Sequence, residues 1–364
     1  MRKHYLDNIR WIVQVLVVLY HVCFMYSSLT MTSVVGQITK TPFIPGEVFE
    51  YAVYPWFMTV LFIVAGISSR LYLNKHTNKE FIRSRTVKLL VPSTIGLLVF
   101  GYVQGWLNAS LTEGALDSMA QAPLIVRYLI MCVSGTGVLW FLQVLWGLSL
   151  VLVPVRNIDK DRLWNVCAKT PLVVLILLAI PMFGAGLILN TPVIAVYRFG
   201  LYGFAYFLGY FVFSHDEIID KIKKFLPVFA VLALASGIAF TVTNFGDNYA
   251  DAPVNRTVFF SFFAYWMSVT VLAFGAKFLD FRNSFTAWMS KKAWGIYIFH
   301  YIGISAFGLF VAKAGILPAW CVYILTAAAG FGAGIILYTI LSRIPFIRWA
   351  VLGISRKKVQ KDVQ

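Results

Sequence analysis

Ten long apolar segments separated by short polar loops constrain the fold of this chain more than any other feature. Of its 364 residues, 60% are hydrophobic and only 13% are charged, about half the charged fraction of an average soluble domain. A helix needs about 20 apolar residues to cross a bilayer. The sequence therefore predicts an all-α polytopic membrane protein with ten transmembrane helices in one bundle. The predicted spans are 9–29, 51–73, 89–107, 137–155, 171–189, 197–213, 225–243, 257–279, 294–312 and 318–341.

The positive charges are distributed asymmetrically among the loops. Both termini and alternate loops, counted with the adjoining span ends, contain 26 of the 31 Lys and Arg residues. The opposite loops contain the other five, which are Lys40, Arg127, Arg198, Arg256 and Lys313. Because cytoplasmic loops carry an excess of Lys and Arg, both termini are predicted to be cytoplasmic. The net charge of +16 then reflects the orientation of the chain in a membrane and not a nucleic-acid partner. We expect this membrane to be the inner (cytoplasmic) one.

Two further features concern the organisation of the chain. An eleven-span alternative would count part of 122–134 as a span, but this segment is short and contains Pro123 and Arg127, which favours an outer interfacial or re-entrant element. No long linker divides the sequence. We expect a single membrane domain over 1–364, with a basic cytoplasmic tail at about 342–364.

Few ionisable residues lie deep within the predicted membrane spans, so few side chains are candidates for catalysis or ion coupling. All 15 acidic residues lie at span ends or in loops, whereas ion-coupled transporters usually place a carboxylate deep in the membrane. The four cysteines form no CxxC pair and indicate neither a disulfide framework nor a metal site. A buried histidine therefore becomes the main candidate for chemistry.

Arg10 and His21 are eleven residues apart in the first segment. This spacing puts both on nearly the same helix face, roughly 16 Å apart along the axis. A neutral histidine at mid-depth suits a general base acting on a hydroxyl or amine, although it could instead be a packing residue. A cation at the cytoplasmic end suits an anionic donor with a long reactive arm, and coenzyme A has that shape. Arg10 could also be only a membrane anchor paired with Asp7.

Other residues are weaker candidates. Arg85 and Lys88 belong to a basic cytoplasmic loop and could add phosphate contacts to the donor, or serve only as orientation signals. His300 lies six residues inside its predicted span, about 9 Å deep. It is expected to lie below His21 and to orient the donor or neighbouring helices, or simply to pack.

On the outer side, Glu50, Trp140 and Arg198 lie near predicted span ends. Aromatic and polar groups there could bind a sugar, although aromatic residues at an interface often form only a belt. The sequence alone leaves these two interpretations open.

The motifs resemble those of membrane acyltransferase family 3. The segment Tyr5-Leu6-Asp7-Asn8-Ile9-Arg10, followed by His21, is similar to its opening Arg-x10-His motif. The other similar segments, in family order, are 61–66 (LFIVAG), 81–92 (FIRSRTVKLLVP), 139–142 (LWFL) and 293–300 (AWGIYIFH). The glucan-modifying branch is the most similar. Lys88 and Val138 depart from the family pattern, which usually has Arg and often His at these positions.

The resemblance implies a membrane O-acyltransferase that uses acyl-CoA, of the acetyl or succinyl type, and no metal. The acceptor would be a hydroxyl of an extracytoplasmic glycan or small molecule. His21 would be the general base and Arg10 would hold the donor with Arg85, Lys88 and His300, while Glu50, Trp140 and Arg198 would contact the acceptor. A covalent acyl-His21 intermediate is an alternative mechanism, and a polysaccharide exporter without acyl chemistry is the alternative function.

Overall fold

The computed structural model describes residues 3–29, 37–38, 41–191 and 196–354. These residues form α-helices joined by short turns, and their only β-structure is an isolated bridge between Asn190 and Arg198. The predicted all-α polytopic class is therefore confirmed. The helices are α1 His4–Tyr26, α2 Ile44–Leu73, α3 Asn78–Arg85, α4 Val91–Gly96, α5 Tyr102–Leu111, α6 Ala115–Ser118, α7 Leu124–Ser134, α8 Trp140–Asp159, α9 Arg162–Cys167, α10 Leu172–Leu177, α11 Ala179–Leu187, α12 Phe199–Phe211, α13 Asp216–Lys224, α14 Leu226–Asn244, α15 Val258–Phe278, α16 Ser284–Phe310, α17 Ala319–Leu341 and α18 Pro345–Leu352.

Within the described residues, eight helical stretches are long and apolar enough to cross a membrane. Each coincides with one of the ten predicted spans. The other two predicted spans are shorter helices: 171–189 is divided between α10 and α11, and 197–213 contains the 13-residue α12. Segment 122–134 forms the 11-residue α7, which is too short for a span. Ten crossings and cytoplasmic termini therefore stay predictions, and residues 355–364 of the predicted tail lie outside the described ranges.

Prolines account for two of the irregular helical segments. A proline has no N–H to donate to the carbonyl four residues earlier, and its ring crowds that carbonyl. Pro181 is four residues after Leu177, where α10 ends. Pro92 is four residues after Lys88, which lies in a π-helical turn, Thr86–Leu90, between α3 and α4. A wider turn of this kind relieves the crowding and is frequent at functional sites.

The described chain forms two compact units, each assembled from three separate segments. The first unit contains 1–16, 48–81 and 147–290, and the second contains 17–47, 82–146 and 291–364. Helix α1 contributes its beginning to the first unit and its end to the second. The prediction of one domain over 1–364 stays a prediction.

In the first unit, α14 packs along α15, and α11 packs against both α12 and α15. Helices α2 and α12 approach so closely that no side chain fits between them. A Cβ atom on Gly66 would lie 2.0 Å from the carbonyl oxygen of Tyr206, and one on Gly209 would lie 2.1 Å from the carbonyl oxygen of Ile63. Small residues allow such backbone contact between helices in a membrane.

In the second unit, a buried apolar cluster joins residues of α1, α16 and α17. Its members include Val18, Met25, Tyr301, Ile304 and Val322. Helix α5 packs against α7, and α4 packs against α18. This core fixes the facing surfaces of α1 and α16, which carry the two histidines described next.

Candidate active site

His21 and His300 form a direct pair in the second unit. Nδ1 of His21 lies 3.2 Å from Nε2 of His300, and the ring centroids are 5.1 Å apart. His300 is fully buried, whereas His21 is only partly buried. Of the two imidazoles, His21 is therefore the one that a substrate can approach.

Backbone carbonyls determine which nitrogen of each ring carries the proton. Nδ1 of His300 lies 2.9 Å from the carbonyl oxygens of Ile296 and Tyr297. Because a carbonyl can only accept, this Nδ1 is a donor, and in a neutral ring Nε2 of His300 must then be an acceptor. Nδ1 of His21 lies 2.8 Å from the carbonyl oxygen of Val17, so it also carries a proton and donates to both Val17 and His300.

These hydrogen bonds determine which nitrogen of His21 has a free lone pair. With its proton on Nδ1, the neutral His21 ring has an unprotonated Nε2, which is the basic nitrogen. If that nitrogen takes up a proton, the bond from Nδ1 to His300 becomes a charge-assisted bond and strengthens. The pair is therefore arranged for accepting a proton on His21.

This geometry corrects the expected position of His300. The predicted span began at residue 294, and His300 was therefore expected to lie below His21. Helix α16 in fact begins at Ser284, and the two rings are at the same level because they form a hydrogen bond. Lys291 and Lys292 precede the predicted span 294–312, yet both lie within α16.

Aromatic rings enclose the histidine pair. The rings of Tyr20 and Tyr301 both meet the His21 ring edge-on, with centroids 5.1 Å from its own. One turn before His300, the hydroxyl of Tyr297 donates to the carbonyl of Val138 at 2.5 Å. These contacts restrict the rotation of both imidazoles and limit access by water.

Trp140 lies two residues after Val138, at the start of α8. It is partly buried, and its ring centroid is 6.3 Å from that of Phe141, whose ring in turn contacts Tyr297. The segment 139–142 therefore packs on the helix of His300. Its predicted role as an acceptor contact stays a prediction.

Arg10 belongs to the first unit and has partners there. Its Nη1 donates to Asp7 at 2.7 Å, and its Nη2 donates to Ser68. The side chain is 36% exposed, so part of the guanidinium remains accessible. The predicted pairing with Asp7 is thus present, and the bond to Ser68 holds the side chain against α2. A role in donor binding stays a prediction.

Arg85 and Lys88 belong to the second unit. Arg85 is the last residue of α3 and is partly buried, while Lys88 is exposed in the π-helical turn. Gly353, with φ near +63°, packs against the backbone of Val87 and Lys88, where a Cβ would come 2.5 Å from the carbonyl oxygen of Val87. This contact supports the turn that presents Lys88.

Glu50 and Arg198 are connected through a series of aromatic residues in the first unit. Glu50 is fully buried and accepts a hydrogen bond from the hydroxyl of Tyr249 at 2.8 Å. The Tyr249 ring packs on Tyr54, with centroids 4.8 Å apart. Tyr54 in turn contacts the Phe260 ring, over which the Arg198 guanidinium lies at 4.7 Å. The sequence placed Glu50, Arg198 and Trp140 in one group, but Trp140 belongs to the other unit.

Arg198 is the most buried cation in the described chain, with 1% of the residue exposed. Its Nη2 donates to the carbonyl oxygen of Asn255 at 2.6 Å, while Nε and Nη1 have no hydrogen-bond partner. Three other buried polar atoms without a partner belong to residues of the same region: Oδ1 of Asn190, Oδ1 of Asn255 and Oγ of Ser261. We call Arg198, Asn190, Asn255, Ser261 and Phe260 the Arg198 cluster.

The turn before α12 holds Arg198 in place. Asn190 and Arg198 form an antiparallel bridge, and Leu189 has φ near +53°, a left-handed conformation that is costly for a side chain of this kind. Strain of this kind persists when the surrounding structure enforces it, often at a ligand site. Sequence reasoning grouped Asn190 with Arg198 on the outer side but missed Asn255 and Ser261, since only the tertiary structure brings these two near Arg198.

Comparisons with known proteins agree with this architecture. The model of the acyltransferase domain of acyltransferase family 3 matches residues 3–339. Glucans biosynthesis protein C of Escherichia coli strain K12 is 21% identical over 99% of this chain and 97% of its own length. The protein of the same name from strain 536 of E. coli O6:K15:H31 gives the same values. No solved structure matches. The chain thus belongs to acyltransferase family 3, as its motifs predicted, and is a multi-pass membrane acyltransferase.

Proposed function

We propose that this protein is an O-acyltransferase of the inner (cytoplasmic) membrane that uses cytoplasmic acyl-CoA, of the acetyl or succinyl type. The acceptor is a hydroxyl of an extracytoplasmic glycan or small molecule. The observation that carries the proposal is the His21–His300 pair, because it leaves a basic nitrogen on the more accessible of two buried imidazoles.

In the proposed mechanism, Nε2 of His21 takes the proton of the acceptor hydroxyl as its oxygen attacks the thioester carbonyl. The tetrahedral intermediate then collapses, the carbon–sulfur bond breaks, and the thiolate of coenzyme A leaves. The imidazolium of His21 returns the proton to that thiolate, so the ring ends neutral. His300 is a positioning residue. Its Nε2 accepts a hydrogen bond from the Nδ1–H group of His21, and this bond stabilises the transient positive charge on His21.

A covalent alternative uses the same lone pair. Nε2 of His21 would attack the thioester directly and carry the acyl group before the acceptor takes it. Direct transfer is preferred because it needs one fewer step and assigns a role to the hydrogen bond with His300. Rapid quenching of the enzyme with labelled donor alone distinguishes the two, since only the covalent route gives a labelled protein.

Donor binding is assigned to Arg10, Arg85 and Lys88. Guanidinium and ammonium groups bind the phosphates of coenzyme A, and Arg10 and Lys88 have accessible side chains. The charge asymmetry of the loops supports a cytoplasmic position for these three residues and for both termini. His300 was also expected to contact the donor, but its full burial and its bond to His21 favour the positioning role.

The glycan acceptor is inferred from the relatives named for glucan biosynthesis. The alternative function, export of a polysaccharide without acyl chemistry, leaves the paired histidines without a role. Family membership also favours acyl transfer over export.

The test uses the purified chain in detergent, with acetyl-CoA or succinyl-CoA and a glucan oligosaccharide. We expect release of the free thiol of coenzyme A that depends on the oligosaccharide, together with a mass increase of the oligosaccharide by the acyl group. The His21→Ala variant should release no thiol above background.

His76→Ala is the matched control, because His76 lies in an exposed loop and its loss should leave thiol release unchanged. Absence of acyl transfer by the folded wild-type protein with both donors would contradict the proposal. Equal activity of His21→Ala and wild type would also contradict it.

A further inference from the structure

We infer that the Arg198 cluster binds an anionic carbohydrate, a sugar that carries a phosphate or a carboxylate. The inference rests on the proposed function, because it takes this sugar as part of the acceptor. It concerns only residues of the first unit, and no step of the proposed transfer uses Arg198.

The first argument is the unpaired charge. A guanidinium has five N–H donors and does not lose its proton in proteins. In Arg198, Nε and Nη1 together carry three of these donors and have no acceptor among the residues that the structure describes. A buried charge without a partner destabilises the folded state. The contact with the Phe260 ring and the hydrogen bond to the Asn255 carbonyl offset only part of this cost. The missing partner is an anion.

The second argument concerns the acceptors that surround the charge. Oδ1 of Asn190 and Oδ1 of Asn255 are buried, have no donor and can only accept. The Ser261 hydroxyl is buried and also has no partner. A bare anion would satisfy Arg198 and leave both amide oxygens without a donor. A ligand that has hydroxyl groups beside its anionic group can satisfy all of them.

The third argument concerns the backbone beside the cluster. Gly186 lies next to it, and a Cβ atom on this residue would be 3.3 Å from Oγ of Ser261 and 3.6 Å from Nη2 of Arg198. A side chain at this position would press against both groups, and the glycine avoids that contact. The same turn carries the strained Leu189, which holds Asn190 opposite Arg198.

A lipid headgroup has part of this chemistry, but two observations favour a carbohydrate. The two amide oxygens and the Ser261 hydroxyl call for a ligand with several hydroxyls. Arg198 itself is 1% exposed, whereas headgroups usually meet basic residues at an accessible surface. Aromatic residues also surround the cluster, and such surfaces suit the apolar faces of sugar rings.

The experiment measures binding by isothermal titration calorimetry, with the full chain in a neutral detergent and no acyl donor. The probes are glucose 6-phosphate, glucuronate, glucose, inorganic phosphate and vesicles of phosphatidylglycerol or phosphatidylcholine. The variants are Arg198→Met, Ser261→Ala and Arg256→Gln, which removes an exposed positive charge from the same region as a matched control. His21→Ala is included to separate this inference from the proposed function.

We expect wild type, Arg256→Gln and His21→Ala to bind at least one of the two anionic sugars, and the stronger of them identifies the anion. Arg198→Met should bind it at least about tenfold more weakly, as for loss of a charge-assisted hydrogen bond. Ser261→Ala should weaken binding of the sugar but not of inorganic phosphate. Glucose should bind weakly, because it has no charge for Arg198.

Several results would overturn the inference. Arg198→Met could bind the charged sugars as tightly as wild type does, or glucose could bind as tightly as the charged sugars. Inorganic phosphate could bind as tightly as both charged sugars, or phosphatidylglycerol could be the only probe that binds. If Arg198→Met does not fold, Ser261→Ala decides, since unchanged affinity for both sugars would also overturn the inference. If wild type binds neither charged sugar but still releases thiol in the acyl-transfer assay, only this inference is refuted. Binding without His21-dependent acyl transfer would refute only the proposed function.

Discussion

The histidine pair and the Arg198 cluster are both buried polar sites, but they differ in how completely their hydrogen bonds are made. Each ring proton of the His21–His300 pair has an acceptor, and both rings are uncharged in this arrangement. Arg198 is charged, and within the described part of the chain two of its nitrogens have no partner. Satisfied networks of this kind fix geometry, whereas an unpaired buried charge destabilises the fold. Binding of an anionic ligand would offset the destabilisation that such a charge causes. Each prediction below tests or sharpens this contrast.

The largest expected effect is on the chemical step. His21→Ala should lower the rate of acyl transfer by about 10²–10⁴-fold, the usual cost of losing a general base. His300→Ala should lower it by only about tenfold, because the Val17 carbonyl still keeps the proton of His21 on Nδ1. Steady-state rates with saturating donor measure both.

His300→Gln provides the control for this prediction, because its amide oxygen can accept from His21 and should restore part of the rate. A greater loss in His300→Ala than in His21→Ala would reverse the assigned roles. Retained donor binding and an unchanged melting temperature are needed to exclude misfolding.

Donor affinity should show the next largest effect. Arg10→Ala should weaken coenzyme A binding by about 1.5–3 kcal/mol, the value of a hydrogen bond to a charged group. Replacement of Arg83, which is exposed on α3, serves as the matched control. Equal dissociation constants for wild type and Arg10→Ala in calorimetry would remove Arg10 from the donor site and leave it as an anchor paired with Asp7.

Stability should separate two arginines of the first unit. Arg70 is buried like Arg198, but it pairs with Asp161 at 2.5 Å and lies 4.0 Å above the Trp164 ring. Arg70→Met should therefore lower stability by about 1–2 kcal/mol, because it leaves Asp161 without its partner. Arg198→Met should leave the stability of the ligand-free protein unchanged or raise it by about 1 kcal/mol.

Thermal denaturation in detergent without added anions measures both variants. A similar loss of stability in the two would mean that Arg198 is satisfied in the free protein, and the contrast between paired and unpaired charges would fail.

The smallest effect concerns pH. The Arg70 guanidinium lowers the pKa of Asp161 below its ordinary value, which is near 3.9. The folded state therefore binds this proton less readily than the unfolded state. The pairing stabilises the protein above about pH 4 and is lost as the pH falls through the lowered pKa. The melting temperatures of wild type and Asp161→Asn should differ at pH 7 and converge toward pH 3; a constant difference would show that Asp161 does not act through its charge.

Much of the fold followed from hydropathy, because apolar length determines which segments can cross a membrane. The sequence located ten helical regions, although two of them are short in the structure. The break at Leu178 was not predicted, since the effect of Pro181 depends on how neighbouring helices accommodate it. The start of α16 was placed ten residues too late because Lys291 and Lys292 resemble a loop.

The candidate site was only partly accessible from the sequence. The spacing of Arg10 and His21 singled out both residues, because one helix carries them. The pairing of His21 with His300 joins residues 279 positions apart, and no local pattern encodes that contact. For the same reason, the sequence named Arg198 but could not show that its guanidinium lacks a carboxylate among the described residues.

The close contact of α2 and α12 has a consequence for recognising active members of this family. Gly66 ends the segment 61–66, one of the motifs by which the chain is recognised, yet its place against the Tyr206 carbonyl gives it a steric role. A homologue that had lost catalysis would still need a glycine there to bring its helices together. Such a motif diagnoses ancestry and shape, whereas under the proposed mechanism a histidine at the position of His21 with a second at that of His300 would mark an active enzyme.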